Sequence, residues 1–122
     1  MVNVVRGQVV SGYGEGRKIG FPTANLQLGT DSFRPPKGVY AVWVSGVDDQ
    51  KKSGILVSGV HWESLQRPRV EVYVLDFVGD LYGKFLSVEI VQKIREVVDL
   101  PKIEELVDII KNDITLAKTI LK

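Results

Sequence analysis

The sequence predicts a mostly β fold, a small barrel of short strands closed over by one long C-terminal helix. Three observations carry this expectation. Short β-branched runs follow one another with turn signals between them; one amphipathic stripe occupies the last twenty residues; and 122 residues suffice for a single core. No internal repeat, low-complexity stretch or linker divides the chain, so residues 1–122 are expected to form one domain.

The first strand is expected over Val2 to Gly12, where Val2, Val4, Val5, Val9 and Val10 supply β-branched side chains. Gly12-Tyr13-Gly14-Glu15-Gly16-Arg17-Lys18-Ile19-Gly20 follows and is too glycine-rich for a regular element. Pro22-Thr23-Ala24-Asn25, taken alone, reads as a turn in which Asn25 bonds its local backbone. Three apolar runs come next: Val39 to Val47, Gly54 to Val60, and Val70 to Phe77. The polar stretch Asp48 to Ser53 joins the first two as a hairpin. In the third run Val70, Val72 and Val74 share one face, and Glu71, Tyr73 and Leu75 share the other. Phe85 to Arg95 fits both a helical stripe and a strand alternation; its β-branched content and the Gly83 turn before it favour a strand. The final segment is helical, with Ile103, Leu106, Val107, Ile110, Ile114, Ala117 and Leu121 on one stripe and Lys and Asp residues expected opposite. Pro101 stands near its start, where a missing N–H costs little.

Composition narrows the function. Sixteen basic against 15 acidic residues leave a net charge of +1, which argues against a polyanion binder. The absence of cysteine excludes disulfides, thiol catalysis and thiolate metal sites, and a single histidine, His61, cannot build a multi-histidine zinc centre. No apolar run reaches the roughly 18 residues that span a bilayer. The N-terminus has no signal-peptide pattern, so a cytoplasmic protein that avoids membranes is expected.

Four stretches could carry chemistry. The glycine-rich loop is either a phosphate cradle, with backbone N–H groups converging on anionic oxygens and Arg17 and Lys18 adding charge, or a plain flexible loop. It matches neither a Walker loop nor a dinucleotide fingerprint. Thr23 and Asn25 project to the same side if the backbone is extended, offering the hard oxygen contacts that suit Mg²⁺ bound to phosphates. Glu71 is an acid in an otherwise apolar strand whose outward neighbours are Tyr73 and Leu75. A carboxylate in such a setting has a raised pKa and can accept a proton from a substrate hydroxyl. Asp80 and Gly83 make a turn, and Tyr82 beside them is free to stack on a base or ring.

The order of these motifs resembles the riboflavin kinase family. The resemblance lies in Gly12 to Leu26, in Gly38-Val39-Tyr40-Ala41, in Val70 to Phe77, in Gly79-Asp80-Leu81-Tyr82-Gly83, and in Ile94-Arg95 running on to the last helix with Asp113 and Ala117. It implies the ATP-dependent type found in bacteria and eukaryotes, and a six-stranded Greek-key β-barrel with a long C-terminal α-helix. The implied reaction transfers the γ-phosphoryl group of ATP to the ribityl 5′-hydroxyl of riboflavin, giving FMN and ADP. By position, the resemblance makes Glu71 the catalytic base and gives Thr23 and Asn25 the Mg²⁺ contacts. It places Gly12, Arg17, Lys18, Thr23, Val74, Asp76 and Tyr82 at the nucleotide, and Arg95, Val98 and Leu100 at the flavin. Partners are then the small molecules riboflavin and ATP, with no nucleic acid and no membrane, and the protein is expected to be a monomer. Leu100-Pro101-Lys102 departs from the aromatic-then-Ser pattern common in the family.

Two rivals set the alternatives. One is a barrel that binds flavin or nucleotide without turnover, against which Thr23, Asn25 and Glu71 all speak. The other is a nucleic-acid-binding barrel, against which the charge balance and the lack of basic residues interleaved with aromatics speak.

Overall fold

A computed structural model describes residues 3–11, 23–60, 69–97 and 103–122. Its elements are β1 (Asn3–Ser11), β2 (Ala24–Leu28), β3 (Gly38–Ser45), β4 (Lys52–Val60), β5 (Arg69–Val74), β6 (Phe85–Arg95) and the helix α1 (Ile103–Ile120). The strands close into an antiparallel barrel in the order β1-β2-β5-β4-β3-β6, a Greek-key order in which β2 and β5 meet across the β3–β4 hairpin. Closure leaves no open sheet edge.

The expected β-runs all form strands, and Phe85–Arg95 is the strand that its β-branched content favoured. One strand differs from the sequence expectation. Pro-Thr-Ala-Asn does not end in a turn: Ala24 opens β2, which pairs with β1 through Val9↔Leu26 and with β5 through Leu26↔Val70. Pairing on both sides outweighs the local turn preference of Asn25. Two strands also end earlier than their apolar runs. β3 stops at Ser45 because Gly46 takes φ 106°, and a side chain there would strike the Phe85 carbonyl. β5 stops at Val74, since Asp76 turns the chain in the left-handed region at φ 54°.

Alternation divides β3, β4, β5 and β6 between two cores. Val5, Leu26, Val42, Leu56, Val72 and Val88 pack with others inside the barrel. The outward residues Val39, Ala41, Ile55 and Leu75 meet Ala117 of α1 and Leu121 just past its end, with Trp43, Val57, Tyr73 and Ile94 around them. The helix therefore covers one outer wall of the barrel, above β3, β4 and β6. Glu104 and Glu105 in its first turn and Lys118 in its last complement its dipole. One helical acid departs from the expected polar face. Asp113 is buried on the barrel side, where it meets Arg95. A buried carboxylate is tolerated there because its charge is paired. No helix among the described residues is long and apolar enough to cross a membrane.

Candidate active site

A single row of outward residues orders the site. Across the sheet Asn25 faces Glu71, Glu71 faces Val57, Val57 faces Val39, and Val39 faces Arg95. Directly opposed residues on one face have Cβ atoms about 4.5–5.5 Å apart, so the Asn25 and Glu71 side chains stand side by side. Glu71 is only 7% exposed although it lies on the outside of the barrel. Thr23 immediately precedes β2 and lies two residues from Asn25, on the side opposite to the inward Ala24. The expectation that Thr23 and Asn25 share a side thus fits the strand geometry. Thr23 Oγ1, Asn25 Oδ1 and Glu71 Oε1 are all shielded from solvent. Thr23 Oγ1 has no hydrogen-bond partner among the described residues, an arrangement rarely left without a ligand or water to fill it.

Tyr73, the next outward residue on β5, has its phenol pKa raised, first by burial and then by the Asp76 carboxylate. The strand ends in the turn that carries Asp76, which is exposed and lies 3.5 Å from Lys118 Nζ on α1. Val74 is 4% exposed and belongs to the barrel interior, so its side chain is turned away from any ligand outside. Beyond it, the Tyr82 N–H donates to Asp80 Oδ1 at 2.9 Å, and Gly83 takes φ 81°, which is the turn the sequence predicts. Tyr82 is 69% exposed there, with Val78 and Phe85 exposed as well. Sequence reasoning did not single out Val78 or Phe85; their exposure follows from a turn geometry that composition does not disclose.

Arg95 lies at the far end of the row. Three interstrand steps of about 4.8 Å separate it from Glu71, or about 14 Å measured along the curved sheet. Its guanidinium grips Asp113 with both edges of the fork, Nε to Oδ1 at 2.8 Å and Nη2 to Oδ2 at 2.7 Å. A third N–H, on Nη1, donates to the Glu96 carbonyl at 2.9 Å. Asp113 had a signal in the sequence: it follows Ile110 by three residues and precedes Ala117 by four, which puts it on the apolar stripe. Gly12, Arg17, Lys18, Val98 and Leu100 lie outside the described residues, as does His61.

For a divalent cation, the donors at hand are neutral or singly charged oxygens. No group of three or more His, Cys, Asp or Glu residues able to hold a metal occurs among the described residues. The orphaned hydroxyl of Thr23 and the buried amide oxygen of Asn25 fit a hard cation that brings further ligands with it. A metal already coordinated by phosphate oxygens meets that condition.

Comparison with known proteins shows which family this closed Greek-key barrel, with a carboxylate and oxygen donors on its outer wall, belongs to. The Flavokinase (riboflavin kinase) family profile matches residues 3–121. The chain belongs to the riboflavin kinase family. It is 38% identical over 119 residues to the bifunctional riboflavin kinase/FMN adenylyltransferase of Haemophilus influenzae, covering 92% of this chain and 36% of that one. It is 35% identical over 117 residues to the RNA-binding riboflavin kinase RibR of Bacillus subtilis, covering 93% of this chain and 49% of the other. The chain thus spans about a third to a half of the length of these relatives. Among solved structures, riboflavin kinase from Trypanosoma brucei superposes with a TM-score of 0.70 at 27% identity, covering 97% of this chain and 76% of that one. A Streptococcus pneumoniae chain described as a macrolide-efflux protein gives a TM-score of 0.83 at 35% identity, over 94% of this chain and 38% of the other.

Proposed function

We propose that this domain phosphorylates riboflavin, moving the γ-phosphoryl group of ATP to the ribityl 5′-hydroxyl and releasing FMN and ADP. The observation that carries the reading is the pairing of Glu71 with Asn25 across β5 and β2, with the buried Thr23 hydroxyl beside it. In this reading Glu71 accepts the proton of the 5′-hydroxyl as that oxygen bonds to the γ-phosphorus and the bond to the β-phosphate bridging oxygen breaks. Burial in the outer wall keeps bulk water from competing with the substrate hydroxyl for this base.

Thr23 and Asn25 would hold Mg²⁺ together with the nucleotide. When bound, the ion supplies charge neutralisation for the transferring phosphoryl group. The chain's own contribution is then chiefly position: β2 and β5 fix the oxygen donors and the base at adjacent sites of one rigid sheet. By sequence position, Gly12, Arg17 and Lys18 belong over the phosphates and Val98 and Leu100 beside the flavin. Tyr82, exposed in the turn after β5, is offered to the nucleotide base, with the main chain at Val74 and the Asp76 carboxylate nearby in sequence. Arg95 takes the flavin end of the row.

The test is conversion of riboflavin by Mg-ATP, followed by chromatography, in wild type and in Glu71→Gln. Wild type is expected to form FMN, and the variant to lose about 10²–10⁴-fold in kcat while still quenching riboflavin fluorescence. Quenching without any FMN from folded wild type overturns the kinase reading in favour of a binding module. FMN formation at full rate by Glu71→Gln overturns the assignment of the base.

A further inference from the structure

We propose that Asp113 is a positioning residue for the flavin, acting through Arg95. This inference rests on the riboflavin reading above and adds to it a residue from the helix.

The geometry is more specific than a helix-to-barrel pin requires. Asp113 comes from the middle of α1, and its side chain is 4% exposed, against 26% for that of Arg95. The pair therefore opens to solvent at its arginine end only. Of the five guanidinium N–H groups, two go to the Asp113 carboxylate and one to the Glu96 carbonyl. Two have no partner among the described residues, one on each terminal nitrogen. The bidentate grip fixes the plane in which they lie, which a single contact to a lysine could not do.

A fixed, flat guanidinium with two unspent donors suits a planar heteroaromatic ring that carries carbonyl and ring-nitrogen acceptors. It can stack on such a ring or bond its edge. Arg95 also stands on the same outer row as Glu71, with Val57 and Val39 between them. Val39 lies under Ala117 and Leu121, so the outer wall offers a base on one side of the helix contact and an oriented donor edge on the other, each approached from its own side. Asp113 sets the second of these.

The alternative role is mechanical, in which the ion pair only docks α1 on the barrel. The two roles separate in a cycle of Asp113→Asn, Arg95→Gln and the double variant. Each is measured for the riboflavin Kd by fluorescence quenching, KM for riboflavin and for Mg-ATP, kcat and Tm. Asp113→Asn is expected to raise the riboflavin Kd and KM about tenfold, the size of coupling common between contacting residues. KM for Mg-ATP and kcat at saturating riboflavin should stay near wild type. In the Arg95→Gln background, Asp113→Asn should add nothing further to the riboflavin Kd.

A lowered Tm with an unchanged riboflavin Kd overturns the proposal, as do effects that multiply in the double variant. Should Asp113→Asn fail to fold, Arg95→Lys leaves Asp113 paired with a cation but loses the fork. It is expected to show the same tenfold weakening, and an unaltered Kd sinks the idea. Wild type that makes no FMN removes the reading beneath it, an outcome distinct from all of these.

Discussion

Along β5 the residues that face into the barrel are Val70, Val72 and Val74, while those that face outward are Glu71 and Tyr73, with Leu75 continuing that face just past the strand. Both sets are largely removed from water, yet they are built differently. Inside, buried hydroxyls among the described residues meet a backbone carbonyl: the Tyr40 hydroxyl donates to Pro36 O at 2.6 Å, and the Ser58 hydroxyl to Pro35 O at 3.0 Å. On the outer wall, buried Glu71, Asp113 and the Thr23 hydroxyl lie close to a valine, leucine and alanine surface. The difference shows that exclusion of water serves two ends in this molecule. Inside it supplies stability, through close packing that tolerates no substrate. Outside it sharpens electrostatics, since charges in a dry wall interact more strongly than charges in water.

If that division holds, stability and activity should be separable by mutation, and the largest effect should fall on the outside. Glu71→Gln is expected to cost about 10²–10⁴-fold in kcat, equivalent to roughly 3–5 kcal/mol in the barrier. Its urea midpoint should stay close to wild type, because the amide keeps the side chain's shape. An unfolded Glu71→Gln protein would break the comparison by giving the outer wall a structural duty. The interior counterpart is Leu56→Ala, at a fully buried position of the barrel core. It should lower unfolding free energy by about 2–5 kcal/mol. Folded Leu56→Ala should keep riboflavin and Mg-ATP KM values near wild type at a temperature where it is fully native, and altered KM values would show that the two cores are coupled.

Thr23→Val is a finer probe, since its two effects have opposite signs. The hydroxyl is buried without a partner among the described residues, so its removal should raise stability by about 1 kcal/mol, or about 4 °C in Tm for a domain of this size. The same change removes an oxygen proposed to meet the metal–nucleotide complex, and KM for Mg-ATP should rise about tenfold, as loss of one hydrogen bond to a charged group does. A Thr23→Val protein that is less stable and equally active would mean that the hydroxyl serves the fold.

Much of this division can be read from the chain, and the parts that cannot have a common cause. Glu71 stands out because an acid interrupts a valine alternation, and β6 because its β-branched residues follow a glycine turn. Local pattern suffices in both cases. β2 escapes local pattern because a five-residue strand after Pro-Thr looks like a turn until strands on both sides are in place. The contact of Asn25 with Glu71 depends on that pairing, so spacing can name each donor but cannot bring the two together. The spacing of Asp113 from Ile110 and Ala117 puts it on the apolar stripe, against the general preference of helical acids for the wet face. Its burial is decided by Arg95, which lies on a different element and gives no local sign of the pairing. Val74 marks the converse error: its place in a motif directs attention to its side chain, yet alternation turns that side chain into the barrel.

The smallest expected effect belongs to neither core and tests whether the exposed end of the barrel stands apart from both. In the β3–β4 turn Asp48 Oδ1 accepts the Gln50 N–H at 2.9 Å, and Oδ2 lies 3.1 Å from Lys52 Nζ. The backbone hydrogen bond first, and then Lys52, hold the Asp48 carboxyl below its ordinary value of 3.8. A lowered folded-state pKa means that the ionised form is favoured by folding. Its contribution is therefore complete above the unfolded value and is lost as pH falls through the folded one. Wild type should be slightly more stable than Asp48→Ala at neutral pH, and the gap should close below pH 3.8 as the carboxyl takes up its proton. Lys51, stacked 4.9 Å above the Trp43 ring, does not titrate in that range and should keep the turn seated on the sheet in both proteins. The gap should also shrink with added salt, since Asp48 is exposed and Lys52 half-buried, so that their attraction is screened. Turnover of riboflavin should be the same in the two proteins at pH 7. A loss of activity in Asp48→Ala would extend the catalytic wall to the turn, and the separation of a dry outer site from a wet, merely structural rim would have to be redrawn.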